Sequence, residues 1–284
     1  MRIARIAQNG RSGLMLGSDG SSHVLFYDEH DLRSLDDILA AGPDEFASLA
    51  ATFAQHGRAV GETDVQFLPP LARPGKIVCV GLNYVDHAAE AGFEVPPFPT
   101  LFVRFASSLI GHREPIVKPA ASDALDFEGE LVAIIGRRGR NIDEAHALDH
   151  VIGYSVFNDA SVRDYQMKTT QWTAGKNFDG TGAFGPWIVT ADDLPAGATG
   201  LKLETRLNGD VVQSASTADM IFPVARLVAI LSSFMTLEAG DIIVTGTPAG
   251  IGMTRNPPLY MRPGDVCEVE IEGVGLLANH IAAE

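Results

Sequence analysis

The sequence predicts a mainly β, α+β protein with few helices. Three observations carry that expectation. Short runs rich in β-branched and aromatic residues recur along the chain, each bounded by Gly, Pro, Asn or Asp. An Asn208-Gly209 pair sits between two alternating runs, residues 201–207 and 210–213, which is a strong short-range hairpin signal. Stretches with helical periodicity are few, and none is long. With 284 residues and 46% apolar content, the chain can bury a substantial core.

Residues 1–70 are expected to form a small N-terminal α+β domain. Strands are expected near 2–7, 13–16 and 23–27, followed by helices over 34–40 and 44–56 that Gly42-Pro43 separates. A Pro-rich stretch, 67–75, marks the boundary with a larger unit, 71–284. That unit opens with an apolar strand, 77–80, and a helix-like stretch, 85–90. His87 and Glu90 are three apart there, so on a helix they share a face. A carboxylate beside an imidazole can fix its tautomer and raise its basicity, as a general base requires, although a surface ion pair has the same spacing. The Gly/Pro-laden run 91–99 suits a mobile lid or a plain surface loop. Strands are then expected at 101–105 and 115–118.

The most informative stretch is Asp126-Phe127-Glu128-Gly129-Glu130, which runs into the apolar Leu131-Val132-Ala133-Ile134-Ile135. It reads as a buried strand, and alternation turns Glu128 and Glu130 to one face. Two adjacent carboxylates at the mouth of an apolar strand repel each other and lose hydration, so they call for a compensating cation. A third carboxylate, Asp159, follows the strand-like run 151–157. One divalent ion held by Glu128, Glu130 and Asp159 is the expectation, because hard cations such as Mg²⁺ take oxygen ligands. Two solvated glutamates on an edge strand would give the same local pattern.

Further along, 163–168 reads as helical, with Arg163 and Gln166 on one face and able to bind a substrate carboxylate or orient Asp159. Lys176 could supply a cation or a proton. Gly180-Thr181-Gly182-Ala183-Phe184-Gly185 matches G-x-G-x-x-G as a string, but no strand leads into it and Pro186 follows. A turn is the better reading than a dinucleotide loop. Residues 220–235 are expected to form an apolar core helix. A strand over 241–245 enters Gly246-Thr247-Pro248-Ala249-Gly250, where Thr247 could donate to a substrate carboxylate. A hairpin over 266–271 and 273–281 closes the chain.

A formal net charge of −15 argues against nucleic-acid binding, which needs a basic footprint. The two cysteines, Cys79 and Cys267, both fall in strand-like runs and give no disulfide framework. No segment approaches the length a membrane span needs. A cytoplasmic protein with no membrane partner is expected.

Taken together, these motifs resemble the fumarylacetoacetate hydrolase family. The resemblance is carried by Val80-Gly81-Leu82-Asn83-Tyr84-Val85-Asp86-His87, Ser107-Ser108-Leu109-Ile110-Gly111, Phe127-Glu128-Gly129-Glu130-Leu131, Gly153-Tyr154-Ser155-Val156-Phe157-Asn158-Asp159, Gly175-Lys176-Asn177-Phe178-Asp179, Met220-Ile221-Phe222-Pro223-Val224 and Thr245-Gly246-Thr247-Pro248-Ala249-Gly250-Ile251-Gly252, in the family's order. It implies a mixed β-sandwich roll, a homodimer, and Mg²⁺ or Mn²⁺ on Glu128, Glu130 and Asp159. It further implies a water-activating His87/Glu90 pair, a catalytic Lys176, and substrate contacts from Arg163, Gln166 and Thr247. Many members have Phe-Leu-Lys-Pro where this chain has Phe102-Val103-Arg104-Phe105. Arg104 is therefore expected to reach the substrate, with a fork suited to a second carboxylate. The activity implied is hydrolytic C–C cleavage of a 2,4-dioxo acid, an acylpyruvate or a fumarylpyruvate-like compound. Oxaloacetate decarboxylation and isomerisation of 2-hydroxyhepta-2,4-diene-1,7-dioate are alternatives on the same metal.

Overall fold

Apolar alternation at the N-terminus builds an antiparallel meander of β1 (Arg2–Gln8), β2 (Arg11–Ser18) and β3 (Ser21–Phe26). Helices α1 (Leu35–Ala41) and α2 (Pro43–His56) follow. The Ser34 hydroxyl caps α1 by accepting from the Asp37 amide, and α2 turns Phe46, Leu49 and Phe53 inward. β4 (Arg58–Val60) pairs with β3, and β5 (Gln66–Leu68) with β1. The structure is a computed structural model, and it describes all residues except 19–20, 30–31 and 91–96. The lid reading of 91–99 therefore falls mostly outside the described residues.

The remaining elements in chain order are β6 (Ile77–Gly81), α3 (Val85–Glu90), β7 (Thr100–Val103), β8 (Leu109–Ile110), β9 (Ile116–Lys118), β10 (Leu125–Asp126), β11 (Gly129–Ile135), β12 (Val151–Asp159), β13 (Ser161–Val162), α4 (Arg163–Gln166) and α5 (Thr173–Lys176). After them come β14 (Gly182–Thr190), β15 (Lys202–Leu207), β16 (Asp210–Ser216), α6 (Val224–Phe234), β17 (Ile242–Val244), β18 (Val266–Ile271) and β19 (Gly275–Ala283). Strands dominate, as the sequence predicts.

The large sheet runs β4-β3-β2-β1-β14-β12-β11-β17-β6-β7, and a second sheet runs β16-β15-β18-β19-β9. Residues 1–70 join the larger unit through this continuous sheet, where Arg2 pairs with Val189 and Ile3 with Ile188. Every residue of β11 is buried. Its Leu131, Ala133 and Ile135 belong to one apolar cluster with Leu203, Val269 and Leu277 of the second sheet. Its Val132 and Ile134 belong to another, with Leu35, Ile38 and Phe53 from the helices. Apolar cover on both faces explains the unbroken apolar run in the sequence.

Three elements differ from expectation. The Gly180–Gly185 string is a turn only at its start, where Gly180 has φ +70°: β14 starts at Gly182 and passes through Gly185 in the middle of the large sheet. Glycine is needed at 182 because the Arg104 guanidinium lies against it, 2.8 Å from where a Cβ would sit. Helix α6 starts at Val224, four residues later than predicted. The amide side chain of Asn83 takes the Phe222 backbone as both donor and acceptor, at 2.8 and 3.1 Å, and holds 220–223 extended. The helical stretch from Arg163 is a single turn. Among the described residues, no helix is long and apolar enough to cross a membrane.

Candidate metal centre

Strand register assembles the site. β11 and β12 are antiparallel, with Gly129 opposite Asn158 and Glu130 opposite Phe157. The Asp159 amide donates to the Glu128 carbonyl at 2.9 Å, which sets those two residues across from each other. Alternation then turns Glu128, Glu130 and Asp159 to one face. Carboxylate oxygens of the three lie within 4.8 Å of one another, and all three residues are buried. Gly129 between the glutamates is required by packing. A Cβ there would lie 2.2 Å from Thr205 Oγ1 and 3.0 Å from Val269 Cγ1, so the second sheet rests directly on this backbone.

Charge is nearly but not fully balanced. The Lys176 ammonium donates to Glu128 Oε2 at 2.6 Å and to Asp159 Oδ2 at 2.7 Å. Arg163 donates to Glu128 Oε1 at 2.6 Å and, through Nε, to Asp126 Oδ2 at 2.8 Å. Arg104 Nε donates to Asp159 Oδ1. Four buried carboxylates, Asp126, Glu128, Glu130 and Asp159, thus face three buried cations, Arg104, Arg163 and Lys176. Glu130 is the acid without a cationic partner. Its Oε2 accepts from the Gly246 amide at 2.5 Å, where the chain turns at φ +104°, a conformation that favours glycine.

Burial pushes the Glu130 carboxyl well above the usual range, and the charges of Asp159 and Glu128 push the same way. Burial acts on Glu128 too, but Lys176 and Arg163 outweigh it and hold that carboxyl down at about 2. A buried, all-oxygen donor set with one uncompensated acid is what a hard divalent cation requires, so the three residues fit Mg²⁺ or Mn²⁺.

The triad opens onto a cavity of about 140 Å³ whose lining includes Glu128, Glu130, His87, Arg163, Gln166, Lys176 and Thr247. A larger open cleft of about 550 Å³, beside Gly273 and Gly275, is lined by none of these. The structure thus brings seven of the ten expected site residues to one small cavity and stations Asp159 just behind it. His87 is buried, and its Nδ1 has no hydrogen-bond partner among the described residues. Arg163 Nη2 is likewise buried and unpartnered. Gln166 Oε1 accepts from Arg163 Nη1 at 2.9 Å, which fixes the guanidinium.

Three expected roles change. Arg104 does not line the cavity. It is buried, and its fork is spent on Asp159, on Ser108 Oγ at 3.2 Å, on Thr181 Oγ1 at 3.3 Å and on the Ala160 carbonyl at 2.6 Å. It holds a candidate metal ligand in place and offers a substrate nothing. Thr247 lines the cavity, but its hydroxyl donates to the Gly129 carbonyl at 3.0 Å and accepts from Gln213 at 2.8 Å. Glu90 Oε2 lies 3.7 Å from His87 Nδ1, within ion-pair reach but longer than a hydrogen bond, and its oxygens accept instead from the Gly250 amide and the Thr254 hydroxyl.

Two further residues carry the site without having been assigned roles from the sequence. Asp126 accepts from Arg163 and from the amides of Gly252 and Met253, at 2.8 and 2.9 Å. Gln213 accepts from the Gly129 amide at 3.0 Å and donates to Thr247, tying the Glu-Gly-Glu strand to the following loop.

A mainly β fold that presents a buried carboxylate triad beside lysine and arginine defines a class of protein with a built site for a hard cation. The chain belongs to the fumarylacetoacetate hydrolase family: the model of the fumarylacetoacetate (FAA) hydrolase C-terminal region matches residues 76–282. It is 39% identical to the mitochondrial oxaloacetate tautomerase fahd2 of Xenopus laevis, over 88% of this chain and 82% of that protein. It is 43% identical to human oxaloacetate tautomerase FAHD2A, also named mitochondrial, over 77% of this chain and 70% of that protein. The cytoplasmic expectation draws no support from these two.

Among solved structures, a fumarylacetoacetate hydrolase from Exiguobacterium antarcticum superposes with a TM-score of 0.88 at 37% identity, covering 100% of both chains. The 2-hydroxyhepta-2,4-diene-1,7-dioate isomerase of Mycobacterium marinum gives 0.76 at 33% identity, covering 100% of this chain and 99% of that one. Relatives of this chain are therefore enzymes, and the mixed-β fold is theirs as well.

Proposed function

We propose that this protein is a divalent-metal-dependent enzyme that interconverts the keto and enol forms of a small 2-oxo diacid of the oxaloacetate type. The observation that carries the reading is His87, a buried imidazole that lines the same small cavity as the triad and whose Nδ1 makes no hydrogen bond among the described residues. Keto–enol exchange needs one base that removes and returns a proton. It needs no activated water, and Glu90 makes no hydrogen bond to His87 that would tune it for one. The cavity is below the ~300–1,000 Å³ common for larger ligands, which suits a four-carbon acid. The names of the Xenopus and human relatives support the same chemistry.

Glu128, Glu130 and Asp159 would hold Mg²⁺ or Mn²⁺. When bound, the cation supplies positive charge against the negative charge that gathers on the 2-oxo oxygen. Arg163 Nη2 binds the substrate carboxylate. His87 takes the proton from C3, the C3–H pair becomes the C2–C3 double bond, and the carbonyl π pair moves onto the oxygen. Lys176, fixed between Glu128 and Asp159, adds a preorganised charge beside the reacting oxygen. Phe102, Trp172 and Ile251 in the cavity wall keep water from the reacting carbon. Returning the proton to oxygen or to carbon completes the exchange. The protein acts as a homodimer in this proposal, which light scattering tests.

A second reading is hydrolytic cleavage of an acylpyruvate. The side of the cavity formed by Val80, Leu82, Phe102, Trp172, Ile251 and Met253 is apolar, and this favours an uncharged acyl group there. Water deprotonated by His87 would add to the distal carbonyl. The C–C pair would then leave toward the 2-oxo group, giving a free acid and pyruvate. Decarboxylation of oxaloacetate and isomerisation of a 2-hydroxy-dienoate send electrons to the same oxygen.

The test follows enol absorbance of oxaloacetate, and consumption of acetylpyruvate, with Mg²⁺ or Mn²⁺ and with chelator. Metal-dependent tautomerisation lost in His87→Ala is expected. Acetylpyruvate hydrolysis with no effect on oxaloacetate would overturn the first reading in favour of the second.

A further inference from the structure

We infer that Glu90, together with Thr254, positions His87 by clasping the loop of residues 250–254. The inference takes from the proposed function only that His87 is the base. Glu90 Oε2 accepts from the Gly250 amide at 3.0 Å, and Oε1 accepts from the Thr254 hydroxyl at 2.7 Å. His87 Nδ1 stands 3.7 Å from Oε2 and has no hydrogen-bond partner among the described residues. The carboxylate's shortest contacts are thus to the loop, and the imidazole stands farther off.

The loop it grips is itself anchored. Gly252 and Met253 donate their amides to Asp126 at 2.8 and 2.9 Å. Asp126 also accepts from Arg163 Nε at 2.8 Å, and Arg163 Nη1 reaches Glu128 at 2.6 Å. Arg255 ties the loop sideways, from Nη2 to the Val212 carbonyl at 2.6 Å and the Gly250 carbonyl at 3.0 Å. One face of the loop therefore grips Asp126, and through it the arginine beside the triad, and the other grips the end of α3. That helix has only six residues, too few to be stable by itself. Its docking, and with it the position of His87 over the cavity, depends on this carboxylate. Thr254 and Glu90 are thus positioning residues that register α3 against the metal side of the site.

The experiment compares Thr254→Val, Thr254→Ser and Glu90→Ala with wild type by hydrogen exchange of the 85–90 amides and by steady-state kinetics. Expected is about tenfold faster exchange over 85–90 in Thr254→Val and Glu90→Ala, with Thr254→Ser close to wild type because it keeps the hydroxyl. Both disrupting variants lower kcat/KM by a similar factor, a variant carrying both Thr254→Val and Glu90→Ala is no worse than either, and the pH profile of kcat keeps its midpoint. Unchanged exchange in Thr254→Val overturns the inference. So does a shifted pH profile in Glu90→Ala while Thr254→Val behaves as wild type, since that would make Glu90 the partner of the imidazole. Exchange is read without turnover, so a wrong substrate assignment leaves the exchange result standing.

Discussion

Glu128 and Asp159 face each other across two antiparallel strands, and one ammonium, that of Lys176, donates to both, at 2.6 and 2.7 Å. Two of the three acids that could hold a cation are thus already paired by the protein's own lysine. The third, Glu130, has a backbone amide and no cation. This asymmetry makes Glu130 the residue whose replacement separates metal binding from folding.

Glu130→Gln should leave the metal-free protein at least as stable as wild type. The wild-type carboxyl is buried next to two like charges that push it toward its protonated form, and glutamine mimics that neutral state. Wild type should gain about 2.7 kcal/mol at a metal concentration 100 times Kd. The variant should lose most of that gain. Thermal melts with Mg²⁺, Mn²⁺ and chelator read both effects. A variant that still shows the full metal-induced shift would remove Glu130 from the ligand set.

Arg104→Lys tests whether the guanidinium serves the metal or the substrate. An ammonium keeps the charge but cannot span Asp159, Ser108, Thr181 and the Ala160 carbonyl at once. Loss of such support behind a ligand typically costs about 10- to 100-fold in metal affinity. Mn²⁺ titration calorimetry should show a loss of that order. Unchanged metal affinity with a raised KM would return Arg104 to a substrate-contact role.

Arg104 also marks the limit of what the sequence could yield. Glu128 and Glu130 were legible because a strand's period of two is visible in the letters, and Asp159 because the next strand ends there. The family resemblance singled out Arg104, but direction depends on β14, whose Gly182 makes room for the guanidinium 78 positions on in the chain. Reading Gly180–Gly185 as a turn hid that strand. Asp126 stands beside the glutamates, yet its partners at Gly252 and Met253 are 126 and 127 positions away. Nothing local announces an acceptor for a distant loop. The His87/Glu90 spacing was legible, but whether Glu90 faces His87 or Thr254 is decided by that same loop.

His112 gives the chain an acid-sensitive point remote from the triad. Its Nδ1 accepts from the Ala278 amide at 3.0 Å, and its ring meets Phe67 edge-on at 5.3 Å. Burial, with Arg113 adding to it, holds the imidazole down at about 4. The unfolded chain protonates it near its ordinary value of about 6.5, so the folded state binds fewer protons below that pH. This contribution to stability is intact above pH 6.5 and is lost as pH falls from about 6.5 to about 4. The difference amounts to about 3 kcal/mol at the acid end. Urea unfolding of wild type and His112→Gln at pH 7 and pH 5 should show wild type losing more stability on acidification. Parallel losses would contradict a neutral, buried His112.

Gly129→Ala probes the contact that lets two glutamates sit on one buried strand. The added Cβ would meet Thr205 Oγ1 at 2.2 Å and Val269 Cγ1 at 3.0 Å, closer than packed atoms tolerate. Either the second sheet moves off β11 or the strand rotates, and rotation would splay Glu128 from Glu130. Overpacking of this kind costs about 1–3 kcal/mol. Thr205 Oγ1 has no hydrogen-bond partner, so Thr205→Ala removes the worst clash without breaking a bond. The double variant should regain part of the stability, with the Val269 contact accounting for what is still lost. Urea unfolding gives the stability of each variant, and Mn²⁺ titration shows whether the carboxylates still converge. A single Gly129→Ala variant as stable as wild type would mean that the second sheet yields freely, and that the geometry of the triad owes nothing to this glycine.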